Sequence, residues 1–203
     1  MNGNSNSSNG ADHATTGPGR LETDFVEALK DKTVASGPLD PFKQTDCSFT
    51  AFSVFALSSQ VTEAALQDAA QAFNDQAQVE LGFSDEEFAE QGVAARVPSP
   101  WQLHDQSPMG AAQWFVEHFD KRGEGTAREP QWFPYSFIGI ASRDWRDKGV
   151  VVVFFKDHAE LAEGEALPIV AFVASPEKIG SMVNTLRQHQ DHIDNVAEDD
   201  AIG

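Results

Sequence analysis

The chain has 203 residues, 14 of them Lys or Arg and 32 Asp or Glu, for a formal net charge of −18. At 40% hydrophobic and 23% charged it has the make-up of a folded globular protein. A surface this negative repels phosphate backbones, so nucleic acid is not an expected partner. No apolar run approaches the ~20 residues that span a bilayer, so a membrane-inserted role is not expected either.

"MNGNSNSSNGADHATTGPGR" has no basic stretch followed by an apolar core, unlike a secretory signal. The single cysteine, Cys47, leaves no internal disulfide framework and suits a reducing compartment, so a cytoplasmic location is expected. Residues 1–45 read as tail and linker. Asn, Ser, Gly, Thr and Pro dominate the start, and such a segment buries too little to offset ordering entropy. Within it Phe25, Val26 and Leu29 fall at helical spacing, which predicts a short helix at 22–32. "ASGPLDPFKQTD" follows as a linker with two prolines and a glycine.

A single domain is expected over 46–197. "SFTAFSVFALSS" alternates between two apolar faces and predicts a strand covered on both sides. "VTEAALQDAAQAFNDQA" places Leu66, Ala69, Ala70, Phe73 and Ala77 on one helical stripe, with Thr62 as its N-cap. "FSDEEFAEQG" is a short helix opened by a Ser84–Glu87 capping box and closed at Gly92. Pro108 at the first helical position opens a third helix through Phe119. "YSFIGIAS" and "GVVVVFFK" then predict an antiparallel hairpin across "RDWRDK", and "LPIVAFVA" a fourth strand. Ser175 and Pro176 start the last helix, and 198–203 is an acidic, frayed end. This order predicts an α+β fold: a four-stranded, mostly antiparallel sheet with three to four helices packed on it.

"SFIGIASRDWRDKGVVVVFFK", "LPIVAFVASPEKIGSMVNTL" and "FSVFALSSQVTEAALQDAAQAF" together resemble a small microbial family known as a domain of unknown function. The resemblance implies an α+β domain and no established activity. It also implies an acid near Ser142 to Asp144, at the end of the first hairpin strand, and an asparagine at Asn184.

Chemistry is concentrated in one place. Lys121, Arg122, Arg128, Arg143, Arg146, Lys148 and Lys156 are half of the basic residues. With five acids among them, 120–156 stands at +2 and the rest of the chain at −20. Trp132 and Trp145 lie in the same stretch, and exposed Trp beside Arg is the composition of interface hot spots and anion pockets. Trp132, Arg143, Trp145, Arg146 and Lys148 are therefore the expected binding residues. The competing reading is a hairpin tip whose charges pair among themselves.

His118, His158 and Asp144 are candidates for acid–base catalysis, as is His104 next to Asp105. His189 and His192 stand three apart, short of the four ligands a zinc site takes, so no metal is expected. Asp46 beside Cys47 disfavours a thiolate nucleophile. "KRGEGTAR" lacks the spacing of a phosphate loop, and no cofactor is expected. The function expected from these residues is a non-catalytic binding or accessory module with a protein or small-molecule partner. A small cofactor-free enzyme of isomerase, cyclase or hydrolase type is the first alternative, and an acidic inhibitor or immunity-like protein the second.

Overall fold

The computed structural model describes residues 19–35, 50–91, 93–119, 131–155 and 166–188, with Ala197 and Ala201. Among the described residues six strands form one mixed sheet: β1 (Thr33–Ala35), β2 (Thr50–Ala56), β3 (Ala95–Arg96), β4 (Gln131–Ile140), β5 (Val150–Phe155) and β6 (Ala166–Ala174), in the order β1-β6-β5-β4-β2-β3. β2 runs parallel to β3 and β4, and the β4–β5, β5–β6 and β1–β6 pairings are antiparallel. The helices are α1 (Arg20–Leu29), α2 (Glu63–Leu81), α3 (Asp85–Gln91), α4 (Pro108–Phe119), α5 (Trp145–Lys148) and α6 (Ile179–Gln188), the last preceded by a 3-10 turn at Pro176–Lys178.

The α+β class is as expected, but the sheet has six strands and not four. The additional strands are its edges. β1 has three residues and β3 two, too short for alternation to register in sequence, and β1 lies where a linker was expected. The helix expected at 22–32 is α1, which packs on β5, β6 and α4. At the other end, Ala201 bridges Ala174, although 198–203 was expected to fray. Residues 1–18, Cys47, Gly92, His158, His189 and His192 lie outside the described residues.

Helices cover both faces of the sheet. Phe52, Val54 and Ala56 of β2 face the α2 and α6 side, with Leu66, Phe73, Met182 and Leu186. Phe55 faces the other side, with Phe115, Phe137, Val151 and Val153, under α4 and Leu29 of α1. This two-sided cover is why β2 and β5 are buried at every position, β5 as an unbroken apolar run and β2 with only Thr50 and Ser53 as polar members.

The local punctuation follows the sequence. Thr62 Oγ1 accepts from the Ala65 amide at 3.3 Å. Ser84 and Glu87 exchange both bonds of the capping box, at 2.8 and 3.3 Å. Ser107 Oγ accepts from the Gly110 amide and caps α4. Ser175 makes no side-chain cap bond, and the chain enters α6 through the 3-10 turn instead.

Candidate functional site

At the hairpin tip the charged side chains are exposed and only the indole is buried. "WRDK" forms α5, a single helical turn joining β4 to β5. Trp145 is 2% exposed and sits in the core beneath α2, edge-on to Phe73 at 5.5 Å. The indole expected on the surface is therefore buried. The Arg146 guanidinium lies over its ring at 4.2 Å and donates to Asp68 Oδ2 of α2 at 2.7 Å. That hydrogen bond holds the Asp68 carboxyl below, and the Arg146 guanidinium above, their ordinary values. Arg143 Nε donates to the Gln60 carbonyl at 2.6 Å. Two of the basic side chains expected to meet a partner thus pin the turn to α2 and the loop before it. The Arg146–Asp68 pair is more than half exposed on both sides, and such pairs contribute little.

The five expected binding residues do not converge. Trp145, Arg146 and Lys148 are on α5, and Arg143 lies two residues before it. Trp132 is at the opposite end of β4, half-buried under the Arg96 guanidinium at 4.8 Å. The catalytic candidates are also apart. His118 stacks on Trp114 at 4.4 Å, and its Nδ1 is 2.8 Å from the Trp114 carbonyl. Asp144 is exposed at the start of α5, where its carbonyl accepts from the Asp147 and Lys148 amides. No hydrogen bond joins His118 to Asp144 among the described residues. His104 does meet its neighbour, with Nδ1 2.9 Å from Asp105 Oδ1. Among the described residues no three His, Cys, Asp or Glu side chains are placed to hold a metal.

A groove of about 350 Å³ lies between α2 and the start of α6, lined by Asp75, Gln76, Val79, Glu80, Glu177 and Ser181. Its walls are tied together. Gln76 Oε1 accepts from the Gly180 amide at 3.1 Å, and Ser181 Oγ donates to Glu80 at 3.3 Å. Gly180 allows this approach: a Cβ there would lie 2.5 Å from the Ala77 backbone nitrogen. Asn184, where the family resemblance implies an asparagine, is buried and donates to the Ala77 carbonyl at 3.0 Å, a structural tie between α6 and α2. Val79 is 79% exposed in this acidic surround. Sequence reading passed over the groove because its carboxylates come from two helices about 100 residues apart, and nothing in either helix alone signals the meeting.

The class this defines is an α+β domain built on a mixed six-stranded sheet, with helices on both faces. No protein-family model matches the chain, and no curated protein or solved structure is significantly similar to it. Among the described residues no helix is long and apolar enough to cross a membrane.

Proposed function

We propose that the protein is a non-catalytic binding module whose contact surface is the groove between α2 and α6, and not the β4–β5 turn. One observation carries this reading: a large apolar side chain, Val79, stands exposed in a groove walled by Asp75, Glu80 and Glu177. Charge complementarity supports a basic, partly apolar occupant. A segment bearing Lys or Arg around an aliphatic side chain places its cations on the carboxylates and its apolar group on Val79. An acidic inhibitor is the special case in which that basic partner is an enzyme.

A fluorescein-labelled amphipathic Lys/Leu peptide tests the reading by anisotropy. Asp75→Lys with Glu80→Lys is expected to weaken binding at least tenfold, and Val79→Ser several-fold, with affinity falling as salt rises. Glu117→Lys with Asp147→Lys makes the same change in net charge outside the groove. Equal loss in both double variants would show that only overall charge is being read, and would remove the groove as the site.

A second reading, the cofactor-free enzyme, is favoured by the His104–Asp105 contact alone. The Leu103 amide donates to the Ala56 carbonyl, which sets this pair beside the carboxyl end of β2. Open sheets with parallel strands bind ligands at that end. A carboxylate on Nδ1 orients an imidazole for acid–base work at Nε2. Saturable turnover of p-nitrophenyl esters, lost in His104→Ala and kept in His118→Ala, is the expected sign. Unsaturable hydrolysis indifferent to His104 would dismiss the reading.

A further inference from the structure

Glu22 lies in the first turn of α1, yet it is 1% exposed. Among the described residues its Oε1 has no hydrogen-bond partner. Its Oε2 occupies the space beside the Gly19 Cα, where any Cβ would collide with it and come within 3.2 Å of Lys148 Cβ. The Gly19 amide donates to the Lys148 carbonyl at 3.2 Å, closing the start of α1 onto α5. A carboxylate sealed in this way has given up water without gaining full compensation, and burial of the charged form is costly.

The surrounding charges do little to compensate. α5 brings Lys148, along with Arg146 and Asp147 on the same turn. β5 and β6 carry no titratable side chain over Val150–Phe155 and Ala166–Ala174. α4 carries Glu117 and His118 in its last turn. On α1 itself Arg20 and Asp24 face each other at 3.5 Å in solvent. Burial raises the Glu22 pKa above the ordinary carboxylate value, and its own backbone amide and the Lys148 charge only partly oppose this.

We propose that α1 and β1 form a pH-sensitive strap, seated more firmly on the sheet when Glu22 is protonated and loosened when it ionises. The strap's other fastenings are a short pairing, the Ala35 amide on Gln113 Oε1 of α4, the Ile169 amide on the Lys32 carbonyl and one apolar stripe. β1 contributes three register pairs, Thr33 to Pro168, Val34 to Leu167 and Ala35 to Ala166. Leu29 is buried against the face that holds Val151, Val153, Leu167 and Ile169, and Phe25 and Val26 pack beside it. Opening the strap uncovers that apolar face. Elements held by short pairings are the ones that open below the global unfolding free energy.

The sign follows from linkage. Glu22 binds its proton more tightly in the closed state than in the open one. Closure is therefore strongest below the ordinary carboxylate range and weakens as pH rises through the raised pKa. It levels off above that point. With one proton linked, the opening constant rises by up to about tenfold per pH unit inside that window.

Hydrogen exchange on the full chain between pH 4 and 8, expressed as protection factors, reads this directly. In the wild type the α1 amides should lose protection with rising pH, while β5 amides remain better protected throughout. In Glu22→Gln the α1 slope should disappear, with protection at neutral pH above wild type. Leu29→Ala should lower α1 protection at every pH and keep the slope. An unchanged slope in Glu22→Gln, neutral-pH protection below wild type in that variant, or α1 and β5 exchanging together would each overturn the strap.

Discussion

Trp145→Ala is expected to lower the unfolding free energy by about 3–5 kcal/mol, the range for emptying a buried aromatic site. The indole is sealed between α5 and α2 in the cluster that includes Phe73 and Val150, so truncation leaves a cavity where β4 turns into β5. Since 1 kcal/mol corresponds to ~2–4 °C in a chain of this size, the melting temperature should fall by roughly 10 °C. Arg146→Ala should cost under about 1 kcal/mol, because it removes an exposed ion pair and one stacking contact. Thermal denaturation of the two variants side by side makes the check. A melting temperature in Trp145→Ala within 2–3 °C of wild type, roughly what a 1 kcal/mol change gives, would return the tryptophan to the surface.

Asn74→Ala should be comparably severe, for a different reason. Asn74 sits in the middle of α2, buried, and its amide serves the backbone of the β3 edge. Oδ1 accepts from the Ala94 and Ala95 amides at 2.8 and 2.9 Å, and Nδ2 donates to the Ala95 carbonyl at 3.0 Å. One side chain thus replaces the strand that β3 lacks on its outer side, while Ala94 pairs inward through its carbonyl to the Phe52 amide. Removing it strands three buried backbone groups, at about 1–3 kcal/mol each, partly relieved by water at the edge. The expected loss is about 3 kcal/mol or more by chemical denaturation. Asn74→Asp tests the donor separately. It keeps both acceptor bonds but turns an oxygen toward the Ala95 carbonyl, so its stability should recover at low pH, where a protonated carboxyl donates again. Stability of Asn74→Ala within 1 kcal/mol of wild type would mean that β3 is not held from α2.

These two residues show where the sequence could and could not be read. Trp145 is one residue in a run of six, "RDWRDK", in which every other side chain is charged. Local composition therefore describes a solvated tip. Only the docking of α2 across that end of the sheet, from about 80 residues upstream, supplies Phe73 to bury the indole and Asp68 to take the guanidinium. Asn74 follows Phe73 in an alanine-rich helix and carries no local sign of its role, because its partners lie 20 and 21 residues further on.

By itself the sequence determined what is local and repetitive: the α2 stripe, the Thr62 cap, the Ser84–Glu87 box, the proline entry to α4, the doubly apolar β2 and β5, and the α+β class. Each rests on side chains a few residues apart, whose period or hydrogen-bond reach is set by backbone geometry. The tertiary structure alone decided the parallel pairing of β2 with β3 and β4, the two short edges, the burial of Trp145, the α2–α6 groove and the sealing of Glu22. All of these depend on which distant surfaces meet, and the free energy of such meetings comes from burial and hydrogen bonds shared between segments that neither one encodes alone.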